Sequence, residues 1–376
     1  MTTTPNAYVQ FFDGGAEPRH ELLGGKCASL VTMTAAGMPV PPGFAVTTLA
    51  YDRFVDEAGI AAEIASKLAT LSPDDVSAVD SVSASVRDAI CSRPVPTEVH
   101  AQVVAAYEQL QSRFESEAPV AVRSSATAED LPGASFAGQQ DTYLWLSGID
   151  NVLKHIRSCW ASLYTSRAIL YRLKNDIPDE GLSMAVAVQK MVNSAVSGVA
   201  MTMNPTNGDR SKVTIDSSYG VGEMVVSGQV TPDNIVVDKV VLSTVSQTVG
   251  DKHAELVPDF TLGRLVERDV DDERRARLSL TPEQVTAVAT LAKAAEKHYG
   301  CPQDVEWALD RDLPDGSNLL LLQARPETVH SAPAAAAATS AATPATGTAT
   351  ATAATPGFSL SGLTSRLTGQ SGPSGH

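Results

Sequence analysis

The chain has 376 residues, a length that accommodates about two domains at roughly 100–200 residues each. A net charge of −15 disfavours nucleic acid as a partner, because binding the phosphate backbone requires a basic surface. Neither a long apolar run nor a secretory signal is visible, and the four scattered cysteines indicate reduced thiols. These features predict a cytoplasmic globular protein without a membrane-spanning helix.

A glycine pair precedes Lys26 in the stretch GGKCASLVTMTAAG, and a helical pattern follows it. A lysine beside a glycine-opened helix N-terminus is an arrangement that binds phosphate. The stretch fails as a Walker A motif, because His20 occupies the position of the first glycine and Cys27 replaces serine or threonine. A solvated lysine at the start of a helix remains the alternative. Further helical patterns cover Gly59–Leu71 and Ile149–Lys174.

A short strand at Val120–Val122 is predicted to deliver Arg123 to a turn of small hydroxyl residues. Small side chains let backbone N–H groups approach phosphates closely, and closure of the loop that follows would exclude water. This predicted phosphate loop contains Gly133, Ser135 and Gly138, and its polar end reaches Thr142.

Strand patterns dominate from residue 184 onward, in MAVAVQKMV, SGVAMTMNP, KVTIDSSYG, NIVVDKVVLSTV, DVEWALD and NLLLLQAR. Gln189 and Met191 lie at the end of the first of these, where a crossover between lobes often holds an adenine edge; an ordinary strand is the alternative. The turn SYGVGE ends on Glu223, a carboxylate suited to binding a ribose or to capping the turn. Together the patterns predict an α+β fold.

The clearest helix signal covers Thr281–Gly300, with Thr281 as N-cap and Gln284 completing a capping box. After it, the segment DVEWALD and the segment Asn318–Arg325 are predicted to form a hairpin around a loop at 311–318. If Asp310 faces Leu319, the register places Glu306 opposite Gln323 and Asp304 opposite Arg325. Glu306 and Gln323 then offer hard oxygen ligands for Mg²⁺, and Arg325 can neutralise phosphate charge. An ordinary surface hairpin is the alternative.

Composition changes sharply near residue 330. Residues 331–357 consist almost entirely of Ala, Thr, Pro, Ser and Gly, which predicts a flexible, disordered linker. Residues 358–376 form a tail whose Phe358, Leu360, Leu363 and Leu367 partly fit one face of an amphipathic turn. The tail is either a frayed end or a docking peptide for a partner.

Taken together, these segments resemble the N-terminal ATP-binding module of the phosphoenolpyruvate synthase and pyruvate phosphate dikinase family. The matching stretches include LGGKCASLVTMTAAGMPVPPGFAVTT, AVRSSATAEDLPGASFAGQQDTYL, YGVGE, VSGQVTPD and LLLLQARPET, in family order from about residue 20 to 328. The resemblance implies a two-lobed ATP-grasp fold, with one lobe at 1–185 and the other at 186–330. It also implies ATP and Mg²⁺ as cofactors.

The resemblance assigns roles to residues that match the family motifs. Lys26, Arg123 and Arg325 would contact phosphates, and the Gly133–Gly138 loop, including Ser135, would close over them with Thr142. Gln189 and Met191 would border the adenine, Glu223 would lie toward the ribose, and Glu306 and Gln323 would hold Mg²⁺. No protein nucleophile is needed, because this phosphoryl transfer relies on positioning and charge neutralisation.

Enzymes of this family continue into a domain whose histidine, within a Thr-Ser-His sequence, becomes phosphorylated. None of the seven histidines here has that context. We therefore expect a partner subunit to carry the histidine and to bind the small-molecule acceptor, in a hetero-oligomer. This layout resembles the ATP-binding subunit of phenylphosphate synthase or of related cresol or benzyl phosphate synthases. A split phosphoenolpyruvate synthase, a rifampicin phosphotransferase and a non-catalytic ATP-binding regulator are the alternatives.

Overall fold

The computed structural model describes residues 8–127, 141–179 and 181–327. The predicted phosphate loop, the linker and the tail lie outside these residues. The described chain forms two compact units, each assembled from separate stretches of sequence. Among the described residues, unit 1 comprises those between 8 and 194 together with 257–267 and 309–323, and unit 2 comprises 195–256, 268–308 and 324–327. Among the described helices, none has the length and apolar character needed to cross a membrane.

Unit 1 is built on a five-stranded sheet in the order β1-β2-β5-β3-β4. Its strands are β1 (Val9–Phe11), β2 (Gly43–Val46), β3 (Val120–Ala126), β4 (Thr142–Leu146) and β5 (Met184–Lys190). Its helices are α1 (His20–Ala35), α2 (Thr48–Ala58), α3 (Ala61–Leu68), α4 (Val76–Ser92), α5 (Thr97–Gln111), α6 (Ile149–Ser162) and α7 (Ser166–Lys174).

The two faces of this sheet have different roles. Val120 and Val122 of β3 join the main hydrophobic core with Phe44, Val188 and Trp160. Because side chains alternate along a strand, Ala121, Arg123 and Ser125 project from the opposite face. Helix α1 packs there, since the Ser125 hydroxyl donates to the carbonyl of Leu23 at 2.7 Å. One face of the sheet therefore supplies stability, and the other carries the candidate phosphate residues.

Unit 2 contains most of a six-stranded sheet in the order β13-β12-β6-β7-β8-β9, and the chain also forms a two-stranded hairpin, β10-β11. The strands are β6 (Ser194–Met201), β7 (Lys212–Tyr219), β8 (Asp233–Asp238), β9 (Thr244–Thr248), β10 (Ala254–Asp259), β11 (Arg264–Asp269), β12 (Gln303–Asp310) and β13 (Leu319–Pro326). The helices are α8 (Glu223–Val226), α9 (Asp272–Arg275) and α10 (Pro282–Tyr299).

Helix α10 confirms the predicted helix signal. Thr281 and Gln284 form the capping box in both directions, and Gly300 ends the helix in the left-handed conformation. An apolar stripe at helical spacing is buried on this helix: Val285, Val288, Leu291, Ala292 and Ala295. The mixture of helices and sheets confirms the predicted α+β class.

Three predicted elements were wrong in extent. The pattern at 234–245 forms β8 and β9 rather than one strand, because the Asp238 carboxylate accepts hydrogen bonds from the N–H groups of Val240 and Val241 and turns the chain. The pattern at Ile149–Lys174 breaks into α6 and α7, since the Thr165 hydroxyl caps a new helix. The pattern at Gly59–Leu71 shortens to α3.

Candidate functional site

The predicted site residues fall into both units, and each group is described within its own unit. Unit 1 holds Lys26, Arg123, Thr142, Gln189, Met191 and Gln323, and unit 2 holds Glu223, Glu306 and Arg325. Gly133, Ser135 and Gly138 lie outside the described residues.

Lys26 is held against β3 by a kinked helix. Gly24 interrupts α1 with φ 63° and ψ 175°, so the helical segment that contains Lys26 starts directly after it. A Cβ at Gly24 would lie 2.2 Å from the carbonyl oxygen of Ser125, so the close approach of helix and strand requires glycine. The buried Lys26 ammonium donates to the Ser124 carbonyl at 2.7 Å. The kink at Gly24 therefore lets the Lys26 ammonium reach the backbone of β3.

The strand that carries Arg123 is longer than predicted. Ser124 and Ser125 continue β3 by pairing with Val186 and Ala185 of β5, so the predicted turn of hydroxyl residues was wrong. Both serines are fully buried, and the Ser125 hydroxyl also accepts a hydrogen bond from the Cys27 N–H at 3.0 Å. Strand pairing and these hydrogen bonds outweigh the turn preference of serine. Sequence reasoning missed this role of Ser125, for which the alternation of small residues along the strand was the available signal.

Arg123 connects β3 to β13 within unit 1. Its guanidinium donates to the Gln323 side-chain oxygen at 3.0 Å and to the Leu322 carbonyl at 3.3 Å. Thr142 pairs directly with Arg123 across the β3–β4 ladder, so their side chains share one face of the sheet. The structure thus brings Lys26, Arg123, Thr142 and Gln323 together around one strand.

Charged groups near this strand act on a buried thiol, that of Cys159. Burial is the main cause that raises the pKa of Cys159, while the Lys26 ammonium acts in the opposite direction. The Asp141 carboxylate also raises this pKa, so charges of both signs lie near the thiol.

Gln189 and Met191 lie at the end of β5. Gln189 pairs with Ala121 of β3 and so faces the same side as Arg123. It is buried, and its side-chain nitrogen donates to the Pro41 carbonyl at 3.1 Å. The Met191 N–H donates to the Pro119 carbonyl at 2.8 Å. Both groups are therefore engaged by the protein itself, and their predicted place beside an adenine remains a prediction.

Unit 2 contributes a group of carboxylates on β12. Asp304 and Glu306 are half-buried, whereas the alternating Val305 and Trp307 are fully buried, so the two carboxylates share one face as predicted. Burial raises the pKa of Asp304, with Glu327 and Glu306 acting in the same direction and Arg325 opposing them. The Arg325 guanidinium lies 3.6 Å from the Asp304 carboxylate. Clustered negative charge of this kind favours a bound cation.

The hairpin differs from its predicted register at the loop. The Asp310 N–H donates to the Asn318 carbonyl at 2.8 Å, so the strands already pair at Asn318 rather than first at Leu319. Hydrogen bonds within the loop, such as that from Asn318 to Asp315 at 3.3 Å, close it one residue early. At the other end, the contact between Asp304 and Arg325 agrees with the predicted proximity of these residues.

The donor types fit Mg²⁺. A carboxylate at Glu306 and an amide oxygen at Gln323 are hard ligands, and Mg²⁺ in proteins usually takes one or two carboxylates together with substrate phosphates and water. Burial is the main cause of the raised pKa of Asp304, and the carboxylates of Glu327 and Glu306 add to it. Glu223 begins the short helix α8 and is exposed, in keeping with either predicted role.

Comparison with known proteins shows which family and which relatives this chain is similar to. Residues 20–345 match the family model described as pyruvate phosphate dikinase, AMP/ATP-binding domain. A probable phosphoenolpyruvate synthase of Staphylothermus marinus is 44% identical over 332 residues, which cover 82% of this chain and 40% of the relative. A probable phosphoenolpyruvate synthase of Methanothermobacter thermautotrophicus is 41% identical over 322 residues, with coverage of 85% and 46%.

The phosphoenolpyruvate synthase of Pyrococcus furiosus is 37% identical over 367 residues, which cover 88% of this chain and 45% of the relative. The chain therefore spans less than half the length of these relatives.

Proposed function

The chain belongs to the family of the pyruvate phosphate dikinase AMP/ATP-binding domain, and from this premise we propose that it binds Mg-ATP and catalyses phosphoryl transfer. The observation that carries the proposal is the grouping of Lys26, Arg123 and Gln323 around β3 within the matched residues. These side chains supply two cations, and the Gln323 oxygen is the one that would bind a metal ion in this proposal. ATP would be held in the manner of an ATP-grasp fold.

The proposed chemistry follows from charge rather than from a nucleophile. Lys26 and Arg123 would neutralise phosphate oxygens in unit 1, and Arg325 would do so from unit 2. Bound Mg²⁺, held by Glu306 and Gln323, would supply further charge neutralisation on the triphosphate. The carboxylates on β12 support the proposal of a divalent cation there, since without one they would repel the phosphates.

We propose that the phosphoryl group passes to a histidine on a partner subunit and then to an acceptor bound by that partner. Overall, ATP, water and the acceptor would yield AMP, phosphate and the phosphorylated acceptor. The absence of a Thr-Ser-His context among the seven histidines of this sequence supports a histidine supplied from elsewhere. Residues 331–376 would tether the partner while its histidine domain moves.

Two acceptors follow from two observations. The resemblance to the phenylphosphate synthase subunit favours a phenol or a benzylic alcohol. The names of the relatives favour the reaction of a phosphoenolpyruvate synthase, in which this chain would be the ATP-binding part. A non-catalytic ATP-binding regulator is the competing function, and the combined presence of Lys26, Arg123, Glu306, Gln323 and Arg325 argues against it.

Product analysis tests this proposal. The full chain is incubated with Mg-ATP and a purified histidine-bearing partner, with a phenol, with pyruvate or without an acceptor. We expect AMP only when the partner is present, and the acceptor that increases its yield identifies the second substrate. ADP as the sole product, or nucleotide binding without turnover beside a competent partner, would leave the regulator as the better account.

Two variants sharpen the result. Glu306→Ala should abolish AMP formation, whereas Glu267→Ala, which removes an exposed carboxylate on β11, should leave it unchanged. Deleting residues 331–376 should weaken binding of the partner. Unchanged partner affinity and turnover after the deletion would contradict the tethering role.

A further inference from the structure

A second group of charges in unit 2 is fully buried and belongs to none of the predicted site residues. The side chains of Lys252 and Asp233 are 0% exposed and lie 2.5 Å apart. The Asp233 carboxylate also accepts from the N–H of Gly250 at 2.9 Å and from the N–H and hydroxyl of Ser279 at 2.6 and 2.7 Å. Both of its oxygens are therefore satisfied, and two separate segments, at 250–252 and at Ser279, are fixed to the start of β8.

This ion pair extends to Tyr219, the last residue of β7. The Arg274 guanidinium lies 4.2 Å from the centre of the Tyr219 ring, and the Lys252 ammonium lies 5.9 Å from it. The Tyr219 hydroxyl donates to the Arg274 carbonyl at 2.9 Å. Glu255 holds Arg274 in place through two hydrogen bonds of 2.8 and 2.9 Å. The tyrosine ring is thus fixed by two cations and a hydrogen bond.

The turn after Tyr219 is fixed equally firmly. Gly220 has φ +72°, and a Cβ there would lie 2.5 Å from the Leu256 carbonyl oxygen. Its N–H donates to the Ala195 carbonyl at 3.1 Å, and its own carbonyl accepts from the Ser197 hydroxyl at 2.6 Å. The next N–H, of Val221, donates to the Leu256 carbonyl at 2.9 Å. The chain therefore leaves β7 along one path, and Glu223 is the first exposed side chain on it.

A buried ion pair is a poor source of net stability, because removing two charges from water costs about as much as their attraction returns. An apolar pair of similar volume would pack the same space. Hydrogen bonds to a charged group are directional, so they fix the orientation of the segments they join. An apolar pair does not fix orientation in this way. The Asp233–Lys252 pair therefore fits a role in geometry better than a role in stability.

We propose that Asp233, Lys252 and Arg274 are positioning residues that orient the 219–223 turn so that the Glu223 carboxylate meets the ribose hydroxyls of ATP. This inference rests on the proposed function. It extends that function from Glu223, which would contact the ribose, to the three residues that hold the turn before Glu223 in place. Without the support, Glu223 would still be exposed and charged, but its direction would vary and the contact with the hydroxyls would weaken.

The test is calorimetric titration of the full chain with Mg-ATP and with the 2′-deoxy and 3′-deoxy analogues. A hydrogen bond to a charged group is worth roughly ten- to hundredfold in affinity, so the wild type should prefer ATP over at least one analogue by that factor. Glu223→Gln should reduce this preference. The double variant Asp233→Asn/Lys252→Met should do the same by weakening ATP binding while leaving analogue binding unchanged.

The matched control is an ion pair between β7 and β8, at the end of β8 away from Asp233. Lys212 pairs with Asp238 across β7 and β8, with their charged groups 2.9 Å apart, and Lys212→Met/Asp238→Asn should leave the preference intact. If the Asp233 double variant fails to fold, Arg274→Lys carries the test, because it keeps the charge but loses the forked contact with Glu255.

Each outcome decides the matter. Folded variants of Asp233 or Arg274 that retain the wild-type preference would reduce the network to a structural role. A wild type that binds ATP without any preference would overturn the inference but leave the proposed function standing. A wild type that binds no Mg-ATP would overturn both.

Discussion

The close contact between Gly24 and β3 leads to a sharp prediction about stability. Gly24→Ala introduces a side chain at a residue with φ +63°, and its Cβ would lie 2.2 Å from the Ser125 carbonyl oxygen. With ψ 175° this residue lies in a region that is essentially restricted to glycine, where another residue costs on the order of 1–3 kcal/mol. The overlap adds a second cost, because either the kink or the strand must move.

The size of that second cost follows from the hydrogen bonds that movement would break. Ser125 accepts from Cys27 at 3.0 Å and donates to Leu23 at 2.7 Å, and both bonds are buried. Each contributes about 1 kcal/mol, and more if a partner remains buried and unpaired. We therefore expect Gly24→Ala to lower the free energy of unfolding by about 3–5 kcal/mol in total.

Gly59 provides the control, because its φ is +62° and a Cβ added there would meet no atom of the described residues within 4 Å. Gly59→Ala should cost only the conformational part, about 1–2 kcal/mol. Urea unfolding of both variants, followed by tryptophan fluorescence and circular dichroism, measures the difference. Equal losses would refute the reasoning, since they would show that α1 and β3 separate without cost. Under the proposed function, Gly24→Ala should also weaken Mg-ATP binding by displacing Lys26.

Three further predictions concern other parts of the chain. The pKa of Asp304 is raised chiefly by burial, so the folded state binds its proton more tightly than the unfolded state does. The free energy of unfolding therefore falls as pH rises above about 4. Asp304→Asn should stabilise the protein in urea at pH 7, and an unchanged or lower midpoint would contradict this. The pKa of Asp238 is lowered to about 2, chiefly by its hydrogen bond with Lys212 and also by hydrogen bonds from the N–H groups of Val241 and Val240. The ionised carboxylate therefore stabilises the fold at pH 7, and this stabilisation is lost as pH falls from about 4 towards 2. Asp238→Asn should accordingly lower the urea midpoint at pH 7 but have less effect at pH 3, whereas an equal shift at both would exclude the ion pair as the cause. Thr281→Ala removes the capping box and should cost about 1 kcal/mol in the same assay, against a negligible effect of Thr290→Ala in the middle of α10.

The sequence predicts best where local signals and tertiary packing agree. Helix α10 has its cap residues, its apolar stripe and its terminal glycine in the order that a helix requires, and the structure contains each of them. The two strands β8 and β9 could not be separated in advance, because an apolar run of valines masks the turn that the Asp238 carboxylate stabilises. Side-chain hydrogen bonds of this kind leave little trace in periodicity.

The candidate site shows the same division. The alternation in DVEWALD predicts that Asp304 and Glu306 share a face, because strand geometry alone requires it. The partnership of Arg123 with Gln323 depends on two strands separated by most of the chain, and no local pattern indicates it. For Ser124 and Ser125 a local pattern is present but misleads, because the preference of serine for turns is outweighed by strand pairing with β5.

The hydrogen bond between Arg123 and Gln323 also has a consequence for synthesis on the ribosome. The two residues are 200 positions apart in the chain, yet both belong to unit 1. At elongation rates of about 5–20 residues per second, the strand with Arg123 would wait roughly 10–40 s for its partner to be made. All five strands of the unit 1 sheet have been made by residue 190, but the contact between Arg123 and Gln323 can form only after the last hairpin has been translated.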